Sequence, residues 1–451
     1  MNKLQKATSI RLFSFGTPQM RAFHMSWIAF FLCFFGWFGI APLMPLIREE
    51  LGLTKSQIGN IIIASVAITV FARLLVGWIC DKYGPRITYT YLLILGAIPV
   101  MGIGLSNSYE TFLAFRLAIG AIGAAFVVTQ YHTSVMFAPN VVGTANATSA
   151  GWGNLGGGVT QMLMPLIFAG FVALGFLDHQ AWRWAMVVPG LAMMLCGVLY
   201  YRYTTDFPEG NIADIIKPAH LAPKKKKGKG AFYKALKDSR VWALFLIYGA
   251  CFGIELTINN VAAIYFHDHF RLDLKTAGLI AGLFGLMNLF ARSAGGFFGD
   301  KAGIKWGLRG RVWLLGALLL LEGLTLILFS QMAILSLAIG ALVIFSLFTQ
   351  MAEGATFAVV PFINKKAVGA VSGIVGAGGN VGAVMAGFLF KSENLPYQQA
   401  LLILGISVTV VSLLALVVKF STADEKAAAH ELESALASRE LELAPAYHLK
   451  K

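Results

Sequence analysis

The sequence predicts an all-α membrane protein whose twelve transmembrane helices form two pseudo-symmetric six-helix halves. Hydrophobic residues make up 57% of the 451 residues and charged residues 13%, and the mean hydropathy is +0.71, far from the balance of a soluble domain. Apolar runs of about 20 residues, enough to cross a bilayer as a helix, follow one another along the chain. Short patterns in the first half also recur in the second.

Twelve apolar runs lie between clusters of charged and turn-forming residues. The predicted spans are residues 26–47, 57–80, 87–105, 109–137, 144–175, 182–201, 240–266, 275–300, 311–330, 332–361, 367–390 and 398–420. A polar segment after the sixth run carries Lys224, Lys225, Lys226, Lys227 and Lys229 and separates the halves. We therefore predict an N-terminal segment 1–25, a first half 26–201, a basic linker 202–239, a second half 240–420 and a C-terminal tail 421–451.

The net charge of +14 is distributed as a topology signal. Basic residues cluster at the N-terminus and in alternate connections, at Lys3, Lys6, Arg11, Arg21, Lys82, Arg86, Lys301, Lys305, Arg309, Arg311, Lys365 and Lys366. Connections on the other side, such as 106–110 and 330–332, contain neither Lys nor Arg. The positive-inside rule therefore places both termini in the cytoplasm, and no folded basic face for nucleic acid is expected.

Cysteine chemistry and cofactor chemistry are not expected. The four cysteines fall in or beside apolar runs and form no CxxC pair, namely Cys33, Cys80, Cys196 and Cys251. We predict no disulfide, metal or cofactor. No nucleophile paired with a base is evident, so an enzyme is not predicted. The tail 421–451 is rich in Ala, Glu and Leu and predicts a solvated amphipathic helix.

An internal repeat identifies candidate site residues. Phe71-Ala72-Arg73, Gly77 and Asp81-Lys82 recur 219 residues later as Phe290-Ala291-Arg292, Gly296 and Asp300-Lys301. Gly123-Ala124-Ala125-Phe126 likewise matches Gly354-Ala355-Thr356-Phe357, and Asn154 matches Asn380. Duplicated transporter halves place matching residues on opposite sides of a central substrate site.

Arg73 and Arg292 are predicted to lie deep in the membrane. Each precedes an aspartate at the helix end by eight residues, which corresponds to a depth of roughly 12 Å. Two arginines at such depth cost roughly 5–7 kcal/mol unless they face water, a partner or a ligand. We favour an anionic substrate, because a guanidinium donates paired hydrogen bonds to an oxyanion. The alternative is a structural ion pair with one of the acids inside the spans, Glu255, Glu322 or Glu353.

Symmetric aromatic and amide side chains narrow the class of anion that the predicted site could bind. Phe126 and Phe357 could hold a flat anion between apolar faces, while Asn154 and Asn380 could donate amide hydrogen bonds. Lipid-facing or packing roles for these phenylalanines and interhelical contacts for these asparagines stay open. The stretch Gly151–Gly156 fits GxGxxG, but no strand precedes it, so we reject a dinucleotide site. The small-xxx-small pairs Gly153 with Gly157 and Gly378 with Gly382 instead predict close helix packing.

These motifs together resemble the nitrate/nitrite porter family of the major facilitator superfamily. The carrying stretches are 150–158 and 376–382, with Phe71-Ala72-Arg73, 290–296 and 354–357. The resemblance implies the major facilitator fold, with Arg73 and Arg292 clamping the anion, Phe126 and Phe357 on its faces, and Asn154, Asn380 and Tyr248 lining the pocket. The stretches 253–256 and 130–131 are most similar to high-affinity nitrate importers, from which His132 and Glu353 depart.

The expected function is nitrate import, with nitrite as a further substrate, by alternating access and proton symport. Glu255 is the candidate proton-coupling residue. A nitrate/nitrite antiporter and a membrane anion receptor are the alternatives. We expect a monomeric multi-pass protein of the plasma membrane, specifically a bacterial inner membrane, whose partners are nitrate, nitrite, protons and the lipid bilayer.

Overall fold

The computed structural model describes residues 6–137, 141–212, 233, 235–364 and 368–430, which are almost entirely helical. The main helices are α1 (Pro18–Phe38), α2 (Met44–Leu51), α3 (Lys55–Tyr83), α4 (Pro85–Gly102), α5 (Tyr109–Gly120), α6 (Ala125–Met136), α7 (Val142–Ala173), α8 (Asp178–Tyr203), α9 (Ser239–Phe270), α10 (Leu274–Leu286), α11 (Ala291–Ser330), α12 (Leu335–Ile363), α13 (Val368–Lys391) and α14 (Tyr397–Ser412). The basic linker lysines, Lys3, Lys365, Lys366 and the tail beyond residue 430 lie outside the described residues.

Twelve crossings account for the apolar helices of the described chain. Eleven segments are long and apolar enough to span a membrane, and one of them, Leu274–Ser330, has 57 residues. A straight helix of that length would measure about 85 Å, far more than a bilayer core of about 30 Å. The chain reverses at Gly307, whose φ of 70° is left-handed, so the segment crosses twice. The predicted twelve-helix, two-half fold is confirmed; the division into five regions stays a prediction.

Local sequence explains where the helices begin. The Thr54 side chain accepts a hydrogen bond from the backbone N–H of Gln57, whose side chain accepts one from Thr54, which completes a capping box before α3. Asp273 accepts from the backbone N–H groups of Lys275 and Thr276 before α10. Such caps satisfy donors that would otherwise lack partners at a helix start.

Two spans are interrupted near their middle. A 3₁₀ turn, Ala121–Ala124, separates α5 from α6, and another, Met287–Leu289, separates α10 from α11. Phe290 leaves helical geometry at φ −136°, directly before α11 starts. By contrast, α3, which carries Arg73, is continuous. Irregular turns inside a span often occur at hinges or functional sites. The break that ends at Phe290, two residues before Arg292, therefore makes Arg292 a candidate site residue.

The first helix of each half packs closely on the fifth span of the same half. A Cβ on Gly153 of α7 would overlap the Phe30 ring of α1, and a Cβ on Gly379 of α13 would overlap the Phe252 ring of α9. A Cβ on Gly378 would overlap the backbone of α9 at Phe245. The glycine-rich stretches therefore serve close helix contact, as predicted.

Three contacts close one end of the bundle between the halves. We call this end, which lies opposite the start of α1, the far end. Arg48 forms a bidentate ion pair with Asp268, with distances of 2.5 and 2.9 Å. The Ser56 N–H donates to Glu393 Oε1 at 2.8 Å, and the Lys55 ammonium donates to the Leu395 carbonyl. These contacts tie α2 and α3 of the first half to the second half.

The opposite end carries two equivalent turns. Asp206 accepts from the backbone N–H of Arg86 at 2.9 Å, where α4 starts after Gly84. In the second half, Glu425 accepts from the backbone N–H groups of Leu308 and Arg309 at 2.8 and 3.0 Å, directly after Gly307. Residues 422–430 are helical, and the Glu425 contacts dock this part of the tail on the turn.

Candidate anion-binding site

Arg292 is buried and held within its own half. Only 4% of it is exposed. Its Nη1 lies 2.5 Å from Glu353 Oε2 on α12, and its Nη2 donates to the Tyr248 hydroxyl on α9 at 3.0 Å. Of the two predicted roles, the structural ion pair with a carboxylate is present for this arginine. Its charge is therefore balanced whenever Glu353 is ionised.

Arg73 is held differently. Its Nη1 donates to the Gly376 carbonyl at 3.1 Å, so the contact crosses from α3 of the first half to α13 of the second. Its Cζ lies 5.4 Å from the centroid of the Phe126 ring, within cation–π range. It forms no ion pair with a carboxylate of the described chain, and its Nε is buried without a hydrogen-bond partner there. Arg73 thus offers an uncompensated positive charge.

Phe252 lies beside both guanidinium groups. The Arg73 and Arg292 Cζ atoms are 5.9 and 5.8 Å from its ring centroid, so they lie within about 12 Å of each other. Tyr248 stacks on Phe252 at 5.2 Å between ring centroids and meets Phe357 edge-on at 5.1 Å. The two arginines, the tyrosine and the aromatic rings therefore form one cluster at mid-depth between the halves.

An acidic and amide network adjoins this cluster. Glu255 on α9 is fully buried and accepts from Asn154 Nδ2 at 3.2 Å and from Asn288 Nδ2 at 2.7 Å. It therefore connects α7 of the first half to the 3₁₀ turn that follows α10. Glu353 Oε2 is paired with Arg292, and Glu353 Oε1 is buried without a hydrogen-bond partner in the described chain.

Asn380 carries unused hydrogen-bonding capacity. It is fully buried, and neither its Nδ2 nor its Oδ1 has a partner within the described residues. It follows Gly379, which touches Phe252, by one position. A buried amide without partners costs about 1–3 kcal/mol, which a ligand that accepts from Nδ2 would offset.

The structure places every predicted site residue in or beside the cluster, and it adds others. Arg73, Arg292, Phe126, Phe357, Asn154, Asn380, Tyr248 and Glu255 are the predicted ones. Phe252 and Asn288 were missed, although each lies four residues from a residue already selected, Tyr248 and Arg292 respectively. On the unbroken helix α9 that spacing places Phe252 on the same face as Tyr248 and was the available signal. Between Asn288 and Arg292 the helix is broken at 287–290, so helical spacing does not relate these two residues.

Two further buried polar residues lie elsewhere. Arg116 on α5, also missed from sequence, donates to the Trp37 carbonyl at 2.7 Å and to Asn260 Oδ1 at 3.0 Å. His132 on α6 is hydrogen-bonded to the Tyr200 hydroxyl and to the Thr205 carbonyl. Arg116 joins α5 of the first half to α1 and to α9, and its Nε is buried without a partner in the described chain. His132 ties α6 to α8 and the chain after it, and both of its ring nitrogens have protein partners.

The sequence profile of the Major Facilitator Superfamily matches residues 26–387. The chain is 42% identical to high affinity nitrate transporter 2.5 of Arabidopsis thaliana, over 89% of this chain and 80% of that protein. The chain belongs to the nitrate/nitrite porter family of the major facilitator superfamily. The resemblance predicted from the motifs is thereby confirmed.

Other comparisons agree with this family. The porter is 40% identical to high-affinity nitrate transporter 2.3 of Oryza sativa, over 85% of this chain and 74% of that protein. It is 32% identical to the nitrate/nitrite transporter NrtP of a Picosynechococcus strain, over 80% of this chain and 83% of that one. These relatives are named as transporters, in agreement with the prediction that the chain is not an enzyme.

A solved structure shares the fold. The bacterial homolog of the human lysosomal transporter Spinster, in an inward-facing and occupied conformation, superposes with a TM-score of 0.69 at 14% identity, over 89% of this chain and 96% of that one. The similarity supports the all-helical major facilitator architecture of the porter.

Proposed function

We propose that this porter imports nitrate, and also nitrite, by alternating access, with Arg73 and Arg292 as the anion ligands. The observation that carries the proposal is the pair of deep arginines, one from each half, that flank the same Phe252 ring. An anion between them would contact both halves at once. Its binding would then be coupled to the relative position of the halves, which alternating access requires.

The surrounding groups suit a small planar oxyanion. Guanidinium groups supply hydrogen-bond donors in one plane, and rings such as Phe126 and Phe357 supply apolar faces that a weakly hydrated anion tolerates. Arg73 Nε and Asn380 Nδ2 are buried donors without partners in the described chain. The relatives named for nitrate and nitrite favour these two ions within that class.

Proton coupling follows from the different partners of the two arginines. While Glu353 is ionised, it neutralises Arg292 at 2.5 Å and competes with an anion. A proton on Glu353 would free the Arg292 charge for substrate. Proton and anion would therefore bind together, which is symport. Import of one anion alone against an inward-negative potential costs about 2.3 kcal/mol per 100 mV. One proton per nitrate makes import electroneutral, and more than one proton would let the membrane potential drive it.

The far end would face the outside, with both termini in the cytoplasm, and the described arrangement would then be closed to the outside. The porter would act as a monomer in a bacterial inner membrane, because the two halves of one chain supply both arginines of the site. The porter would act in nitrate assimilation.

Nitrate/nitrite exchange is the second candidate, because Arg292 could instead stay paired with Glu353 throughout the cycle. An imposed pH gradient in proteoliposomes separates the two. Symport predicts accumulation of labelled nitrate when the outside is acidic, without nitrite inside. Uptake that needs internal nitrite and ignores the gradient would contradict symport. Binding without any flux would favour the receptor alternative.

A further inference from the structure

A groove of about 630 Å³ lies on the outer surface of the second half. It runs along α11 on both sides of the Gly307 reversal, from the end of the eighth span to the start of the ninth. Its lining combines large aromatic and aliphatic side chains with two lysines, namely Phe298, Lys301, Lys305, Trp306, Trp313 and Leu314. The groove lies on the outside of the bundle, apart from the central cluster.

The basic part of the groove carries charge that the described chain does not balance. Lys301 and Lys305 are one helical turn apart and exposed. Their Nζ atoms lie 4.5 Å from the Phe297 ring and 4.7 Å from the Trp306 ring. Neither forms an ion pair with a carboxylate among the described residues, because the nearby Asp300 is paired with Arg311 at 2.6 Å.

The apolar part of the groove exposes two tryptophans. Trp306 is 55% exposed and Trp313 is 64% exposed. The Gly307 reversal is the end of two membrane crossings, so both rings lie near the headgroup level, where tryptophan is favoured. Leu314 and Ala317 continue the apolar floor toward the hydrocarbon. The groove thus has charge at its polar end and apolar surface along its length.

We propose that this groove binds an acidic glycerophospholipid. The lipid phosphate lies against the Lys301 and Lys305 ammonium groups, and an acyl chain follows Trp313 and Leu314. Each lysine near an anionic headgroup contributes about 1 kcal/mol, so two give roughly a tenfold or greater preference over a zwitterionic lipid. A zwitterionic headgroup carries its own cation beside the phosphate and gains less.

The first half offers a matched control. Lys82, the repeat equivalent of Lys301, also lies over aromatic rings, at 5.1 Å from Trp78 and 4.8 Å from Tyr83. The next basic residue there, Arg86, is turned onto the Tyr201 ring at 4.0 Å and donates to the Tyr201 carbonyl. Among the described residues, Lys82 therefore lacks a second free cation beside it, and Lys82→Gln removes one lysine charge without changing the groove.

The test uses tryptophan quenching by brominated lipids in vesicles that contain the full-length protein. Brominated phosphatidylglycerol is expected to quench more than brominated phosphatidylcholine. Trp313→Phe should remove most of that excess, and the double variant Lys301→Gln/Lys305→Gln should reduce the apparent preference about tenfold. Lys82→Gln should keep it.

Three results would overturn the site. They are equal quenching by both lipids, an excess that survives the double lysine variant, and an excess that inorganic phosphate displaces. Circular dichroism and gel filtration check the folding of each variant. Neither these controls nor the quenching signal depends on transport activity.

Discussion

The two buried arginines occupy equivalent positions in the repeat, yet their surroundings differ. Arg292 follows a break in its span and is bound to Glu353 and Tyr248 of its own half. Arg73 lies on a continuous helix, reaches the Gly376 carbonyl of the other half and has no carboxylate partner in the described chain. Duplication therefore set the positions, while the electrostatic roles diverged. We infer that Arg73 is the constant anion ligand and Arg292 the one that a proton controls.

The largest expected effect is at Arg73. Arg73→Lys should reduce nitrate uptake at least about tenfold, because an ammonium cannot reproduce the planar paired donors. Arg292→Lys should also lose most transport. Labelled nitrate uptake in proteoliposomes measures both, with Lys82→Gln as a charge-changing control away from the cluster. Near-normal uptake by both arginine variants would remove the clamp.

A change at Glu353 separates proton coupling from anion binding. Glu353→Gln leaves Arg292 charged and unpaired at every pH, so nitrate exchange should continue while accumulation driven by an acidic exterior is lost. Glu322→Gln is the matched control, since Glu322 is also a fully buried acid of the second half but makes no ion pair in the described chain. Proton-driven accumulation by Glu353→Gln at the wild-type level would contradict the assignment.

Phe252 should have an intermediate effect. Phe252→Leu removes the ring beside both guanidinium groups but keeps apolar volume. A lost cation–π contact at a desolvated site is worth about 2 kcal/mol, so the KM for nitrate should rise by roughly thirtyfold or less. Phe30→Leu, which changes a ring that touches Phe126 but neither arginine, is the control. Equal KM changes in the two variants would argue against a special role for Phe252.

The smallest expected effect is at the far end. The Arg48–Asp268 pair is partly exposed, and such pairs contribute about 0.2–1 kcal/mol. Asp268→Asn should therefore shift the balance between the two access states by less than about fivefold. Cysteine labelling from the outside, at a central position in an otherwise cysteine-free chain, reports that balance. A complete block of transport would contradict the small contribution expected for the Arg48–Asp268 ion pair.

The sequence was informative about residues that the repeat duplicates. Arg73, Arg292, Phe126 and Phe357 could be selected because each has a counterpart in the other half. The lengths of the apolar runs then defined the spans, because each crossing is long and apolar. The structure confirms twelve crossings, including the reversal at Gly307.

The pairing of side chains across helices could not be predicted. From sequence, Glu255, Glu322 and Glu353 were equivalent candidates for an arginine partner, since nothing in one helix specifies which face of another it meets. The structure selects Glu353 for Arg292 and gives Glu255 to two asparagines. The break at Met287–Leu289 contains neither Gly nor Pro, so no local signal marked it.

Counterflow of labelled nitrate into vesicles loaded with unlabelled nitrate tests the central claim most directly, because it needs the anion site but no driving gradient. The wild-type porter and Glu353→Gln should both show counterflow, competed by nitrite more strongly than by chloride, and Arg73→Lys and Arg292→Lys should show little. Wild-type counterflow by both arginine variants would contradict the claim that these two arginines bind the anion.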